Sequence, residues 1–317
     1  MKKKLKPIII FLFKISLNKV FNFILGILNF VIIFRNGKAI GDHVYMSSVI
    51  REINLSSKKK ILLFTNYYEL FVNNPRIFKL FKFNFDNYIW FFLKCLEGKN
   101  ILEFNSIYAK QDMDHSFLYY HKNRNVPLAQ AMSEHFELNI DYSNLKNEIF
   151  LSEKEIETLE KKYLYLKKFS IIQSTTKKTY TCNKEWKISG MQNIIDNFSD
   201  INWLQIGTSI EPRLNNCKHL FDLNLREVSF LIYKCDFLVS YEGLFNHIAS
   251  CFDKKNFLIH TGFVHSNSIN YKNNILIHEN DNMECYPCFK LNCSSHQKNF
   301  ISKLSDEKVI NIIEKNI

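Results

Sequence analysis

The chain opens on a stretch where apolar residues dominate and the polar positions Lys14, Asn18, Asn22 and Asn29 recur on one narrow stripe of a helix. After it, the run Phe-Val-Ile-Ile-Phe at 30–34 reads as a buried strand, 35–42 as a glycine-bearing loop and 43–53 as a helix. A second strand is predicted at 60–65, a helix near 67–72, a strand at 101–104 and a helix at 128–136. Strand, glycine loop, helix, strand opens a βαβ unit, and repetition of that unit builds a parallel sheet covered by helices. The charged run 141–168 predicts a junction, beyond which the pattern resumes. Strands are expected at 170–173, 203–206, 237–240, 257–260 and 275–277, with helices around 191–197, 225–233, 244–251 and 306–315. Two α/β halves follow: an N-terminal segment 1–28, a Rossmann-like domain 29–150, and a second Rossmann-like domain 151–317.

Composition narrows this picture. The chain has 317 residues, 46% of them hydrophobic, which supplies material for two cores and excludes a disordered basic tail. With only eight glycines and five prolines, collagen-like and linker-like readings fall away. The net charge of +11 is carried almost wholly by lysine. It suits anionic partners, although a genome-wide base bias explains the same wealth of Lys, Asn, Ile and Phe. The cysteines show no disulfide-framework spacing, which favours a reducing cytoplasm.

The start Met-Lys-Lys-Lys-Leu-Lys superficially resembles a signal peptide, but Lys14 and Lys19 interrupt the apolar stretch and no small-residue cleavage site follows. The uncharged run Val20 to Phe34 is short of the roughly 20 residues that a membrane span requires. A helix lying in the membrane interface, its lysines meeting anionic headgroups on the inner face of the cytoplasmic membrane, fits best; packing on the protein itself is the alternative.

In parallel sheets, ligands bind beyond the carboxyl ends of the strands. Gly37, Gly41, Gly207, Gly243 and Gly262 all follow predicted strands, where positive φ or close backbone approach to a ligand is expected. A helix starting after such a loop offers free N–H groups, a natural seat for phosphate. Cys285, Cys288, Cys293 and His296 could hold zinc, but their spacing matches no common finger and structural thiols are the preferred reading. Asp112-Met113-Asp114 has the bare spacing of a cation-binding dyad without a strand to present it.

Gly41-Asp42-His43 and the apolar helix after it resemble the first loop of glycosyltransferase family 9, the heptosyltransferase-like enzymes. Asn73-Asn74-Pro75 is similar to the family's Asn-Pro element, Lys184-Glu185-Trp186 to its Lys-x-Trp, Glu242-Gly243 with His247 to its acidic/Gly…His helix start, and Cys285-Tyr286-Pro287-Cys288 to its Cys-x-Pro-Cys. The resemblance implies a GT-B fold and inverting, metal-independent sugar transfer without a cofactor. The donor would be a nucleotide sugar, ADP-heptose among the candidates, and the acceptor a lipid-linked surface glycan such as a lipopolysaccharide core. It implies Asp42 as the base that takes the acceptor proton, flanked by Gly41 and His43; an N-cap is the plainer role for that aspartate. It implies Thr175, Thr176, Lys177, Lys184, Gly207, Glu242, Gly243, Leu244 and His247 as donor-binding residues. The pattern departs from the family's commoner Asp-Ser/Thr-Gly order at Glu242, which keeps a non-catalytic nucleotide- or glycan-binding relative open. A nucleic-acid-binding protein is the rival, but the aromatics sit in apolar runs such as Tyr88-Ile89-Trp90-Phe91-Phe92-Leu93, which read as core or interface and not as stacking platforms among charges.

Overall fold

In the computed structural model, the structure describes residues 17–83, 88–104, 127, 129–130, 141, 143, 145–176, 181, 183–279, 286–288, 293 and 303–317. They divide between two compact units, Met1–Phe117 with Ala129–Lys146, and Leu118–Leu128 with Asn147–Ile317.

In the first unit, helix α1 (17–27) precedes β1 (Phe30–Arg35), α2 (Ile40–Ser57), β2 (Lys60–Thr65), β3 (Ile77–Lys82), α3 (Tyr88–Cys95) and β4 (Ile101–Glu103). The four strands lie in the order β3-β2-β1-β4, and every pair is parallel. β1 is buried along nearly its whole length because helices cover both faces, which is why its sequence is a continuous apolar run. The helix after it begins earlier than expected: Ala39 is its N-cap, so Gly41 and Asp42 stand in its first turn and not in a loop. The helix predicted near 67–72 is a single tight turn, Tyr68–Phe71. β3, absent from the sequence reading, is an edge strand whose lysines 79 and 82 face solvent and so blunt further pairing. Of the helix predicted at 128–136, only 129 and 130 are described, and both are helical.

The second unit contains α4 (Glu153–Tyr163), β5 (Ser170–Ile172), α5 (Ile188–Asn197), β6 (Trp203–Gly207), β7 (Lys218–Phe221), α6 (Leu225–Lys234), β8 (Leu238–Tyr241), α7 (Leu244–Cys251), β9 (Asn256–Ile259), α8 (Ser266–Ile269), β10 (Asn274–Ile277) and α9 (Asp306–Glu314). Its six parallel strands run β10-β9-β8-β5-β6-β7. Read from β7, this is the doubly wound order in which the chain leaves β5 first to one side and then to the other. The charged run expected as a junction carries α4, entered through a capping box in which Ser152 and Glu155 satisfy each other's backbone N–H groups. Asn224 and Glu227 repeat the device at α6. One apolar cluster, with Trp186, Trp203, Phe257 and Val309 among its members, fills the space between sheet and helices.

Candidate active site

A doubly wound sheet has one place where neighbouring strands send their connections in opposite directions, and the loops there part to leave a crevice. In the first unit that place lies between β1 and β4, and Arg35, the last residue of β1, stands at it. The buried guanidinium donates through Nη2 to Asp42 Oδ2 at 2.7 Å and through Nη1 to the Phe104 carbonyl at 3.0 Å. The sequence predicted only the aspartate. The signal for its partner was a cation ending an otherwise apolar strand. Asp42 keeps 16% of its side chain exposed and sits in the first turn of α2, where the helix dipole favours an anion.

His43 is fully buried beside this pair. Asn66 locks against Gly37, accepting the Gly37 N–H at 3.2 Å and donating to its carbonyl at 3.0 Å, so its Oδ1 is an acceptor. His43 Nε2 lies 3.1 Å from that oxygen, while Nδ1 lies 3.0 Å from the Ala39 carbonyl and 3.3 Å from Arg35 Nε, which points its N–H at it. Burial, reinforced by the Arg35 charge, lowers the His43 pKa to about 3, so the ring is neutral. It shapes the loop and offers no proton to chemistry at neutral pH.

In the second unit the switch point lies between β5 and β8. Gln173, just past β5, donates to the Thr175 carbonyl and accepts the Tyr241 N–H at the end of β8, so the two strand exits are tied together. Thr175 is buried, and the half-buried Thr176 gives both its N–H (2.7 Å) and its hydroxyl (3.1 Å) to Glu185 Oε1. Lys177 lies outside the described residues.

Past β8 stands Glu242, with 1% of its side chain exposed. Lys184 Nζ lies 2.9 Å from one of its oxygens and His260 Nε2 3.6 Å from the other. Neither oxygen makes a directed hydrogen bond, so the attraction is ionic. The Lys184 ammonium also rests over the Phe263 ring at 4.7 Å. Burial lowers His260 to about 4 despite the neighbouring carboxylate, which leaves Lys184 as the cation facing Glu242.

Gly243 caps α7 at φ 146, ψ −153, with no side-chain cap to occupy the helix N-terminus, and a Cβ built there would meet nothing within 4 Å. The first-turn N–H groups of α7, which begins at the half-buried Leu244, are thus left without a side-chain cap at the positive end of the helix dipole. His247 is turned inward, its Nδ1 3.0 Å from Tyr271 Oη, and burial with the nearby Lys184 charge lowers it to about 3. Gly207, at the end of β6, is crowded: a Cβ there would come 2.6 Å from the Glu211 carboxylate, which gathers the N–H of Thr208 and the hydroxyls of Ser174 and Thr208. Among the described residues positive φ at glycine occurs at Gly243 and Gly262. Positive φ is thus found at Gly243 and Gly262 and not at Gly37, Gly41 or Gly207, of which Gly41 is helical and Gly207 is crowded by the chain's own Glu211.

Trp186 of the Lys-x-Trp element lies in the core, its indole N–H donating to the Leu304 carbonyl at 3.1 Å. Of the four candidate zinc ligands, Cys285 and His296 fall outside the described residues, as do Asp112 and Asp114. Cys288 is buried and Cys293 half-buried, and no cluster of metal-ligating side chains forms among the described residues.

Two units of this kind, each a parallel sheet between helices, define the GT-B class of fold. Within that class the chain is similar over 90% of its length to the glycosyl transferase family 9 protein of Veillonella parvula (12% identity, 97% of that chain, TM-score 0.66). It is also similar to the ADP-heptose lipopolysaccharide heptosyltransferase II of E. coli (10% identity, 90% of this chain and 98% of that one, TM-score 0.59). A third likeness is to the E. coli heptosyltransferase WaaC solved with ADP (11% identity, 90% and 99%, TM-score 0.58). At these identities the likeness is one of fold. No family model matches the sequence, and no curated protein matches it significantly.

Proposed function

We propose that the protein is an inverting glycosyltransferase that moves a sugar, heptose being the leading candidate, from a nucleotide-sugar donor to a lipid-linked surface glycan at the inner face of the cytoplasmic membrane. The observation that carries this reading is the pair of switch points: one holds a carboxylate fixed by a buried arginine, the other an uncapped helix N-terminus beside a lysine. In this scheme Asp42 accepts the proton of the acceptor hydroxyl as its oxygen bonds to the anomeric carbon from the face opposite the leaving group. The bond from that carbon to the diphosphate breaks, and its electron pair leaves with the nucleotide. The α7 N–H groups and Lys184 meet the charge that develops. An ammonium has three donors, so Lys184 can keep Glu242 and still reach a phosphate oxygen. The supporting fold neighbours include a heptosyltransferase bound to ADP.

The test is Asp42→Asn. Turnover should fall by about 10²–10⁴, the usual worth of a positioned base. Thermal stabilisation by ADP- and UDP-sugars, screened as a panel, should stay as in the parent protein, because the donor-binding residues are unchanged. Turnover retained in the variant would remove Asp42 from the reaction, and a panel in which no nucleotide sugar raises Tm would remove the donor class.

A further inference from the structure

Helix α1 reverses the usual arrangement of a surface helix. Its asparagines face inward: Asn18 donates to the Glu97 carbonyl at 2.8 Å, while Asn22 donates to the Leu96 carbonyl and accepts the Asn100 N–H. Leu25 alone of its aliphatic residues is sealed in the core. Outward face Leu17, Val20, Phe23, Ile24 and Ile27, with Leu28 just past the end; Phe23 is 68% exposed and Ile27 67%. Nothing in helix propensity asks for this, and a soluble surface selects against it.

A second helix continues the same face. Phe21 of α1 meets Phe92 of α3 edge to face at 6.3 Å, and α3 turns Tyr88 (92% exposed), Ile89, Phe91 (66%) and Phe92 to solvent. The sequence had placed this run in a core or interface. Helix α3 is held in place from behind: Leu93 is buried, and Lys94 reaches back to the buried Glu103 at 3.2 Å.

The rim selects the occupant. Exposed Lys19 and Lys99 flank a hollow of about 630 Å³ floored by Asn18, Asn22 and Gly98. Exposed Lys58 and Lys60 stand where α1 ends, joined to Asn29 by hydrogen bonds of Asn29 Nδ2 to the Lys58 carbonyl and of the Lys60 N–H to the Asn29 carbonyl. The acids nearby among the described residues are Glu97, half-buried, and Glu103, buried. Among the described residues, a second copy would bring lysines against lysines with no exposed acid to meet them. We propose that this two-helix face docks on an anionic phospholipid bilayer, α1 lying flat with its outward side chains among the acyl chains and the lysines at the phosphates. No described helix is long and apolar enough to cross a membrane, which agrees with lying on the bilayer. The proposal rests on the lipid-borne acceptor above only for its purpose. Docking is read without donor or acceptor, so its failure and that of the transfer reading are separable.

The experiment is flotation of the full chain with vesicles of phosphatidylcholine alone and with roughly a third phosphatidylglycerol. The chain should float with the anionic vesicles. Phe23→Ser with Ile27→Ser, and separately Tyr88→Ser with Phe91→Ser, should each weaken binding about tenfold or more, since each removes two large apolar side chains from the contact. Lys19→Glu with Lys99→Glu should weaken binding to anionic vesicles and leave the small binding to neutral ones unchanged. These side chains project into solvent, so circular dichroism and Tm should match the parent. The proposal is overturned if the chain fails to float with anionic vesicles, or if the apolar variants float as well as the parent. Charge reversal without effect overturns it too, as does a vesicle-free dimer that the Phe23→Ser, Ile27→Ser variant abolishes.

Discussion

The two units place comparable chemistry at comparable points of their sheets and protect it to different degrees. In the first, the carboxylate of Asp42 keeps a solvent-facing edge while its arginine is sealed. In the second, the order is reversed: Glu242 is sealed and its lysine is the half-open partner. A base must reach an incoming hydroxyl, whereas a cation that greets a leaving phosphate must itself be accessible. Under the proposed transfer, each unit exposes the member of its ion pair that the scheme assigns to a substrate and buries the other as its fixed support.

The asymmetry can be broken from the side of the lysine first. Among the described residues, Lys184→Met leaves Glu242 buried with a neutral histidine beside it and should cost the second unit about 3–5 kcal/mol, the usual price of stranding a buried charge. Urea unfolding in a Trp90→Phe background checks this, because Trp186 and Trp203, both in the second unit, then carry the fluorescence. An unchanged midpoint would mean that Glu242 takes up a proton or finds another partner.

Acidification should separate the units next. Unfolded imidazoles bind protons below about 6.5, but folded His43 and His247 hold out to about 3 and His260 to about 4. Unfolding therefore takes up protons in this window, so the stabilisation is whole above pH 6.5 and is lost as pH falls toward 4. At pH 5 each histidine should cost roughly 2 kcal/mol, so the second unit, with two, should lose about twice what the first loses. The same urea series at pH 7 and pH 5 reads the second unit, and Trp90 in a Trp186→Phe, Trp203→Phe background reads the first.

Arg35→Met should cost less than the lysine change, about 1–3 kcal/mol, because Asp42 can turn to water while His43 Nδ1 and the Phe104 carbonyl lose a donor. It should also lower turnover with little effect on donor affinity, a split that kinetics with varied donor concentration would show. The smallest effect belongs to the capping boxes. Ser152→Ala should cost about 1 kcal/mol, and an Asn224→Ala companion a similar amount, read as shifts in Tm.

The second unit was the more legible in the sequence. Its strands are short, apolar and separated by helices with ordinary polar faces, so periodicity located β5, β6, β8, β9 and β10 and missed only the edge strand β7, whose residues are half-exposed and mixed. In the first unit the rules of burial mislead. α3 is apolar enough to read as core yet faces solvent, and α1 hides its asparagines, so the signals that mark inside and outside are exchanged. Of the candidate site, Asp42 and Glu242 were singled out because Gly41-Asp42-His43 and Glu242-Gly243 resemble glycosyltransferase family 9 motifs. Arg35, Asn66, Glu185 and Glu211 were not, because their partners are brought to them by sheet order, which no local pattern carries.

The cap of α7 bears on why glycine occupies position 243. Its φ of 146 and ψ of −153 are the mirror image of an ordinary extended conformation, and the space where a side chain would point is open. Handedness alone, then, excludes the other natural residues, which lack the mirror-symmetric freedom of glycine. The L-methyl of a Gly243→Ala chain would stand in that opening without a clash and would still have to bend the backbone that begins the helix, whereas D-alanine is free of that backbone strain.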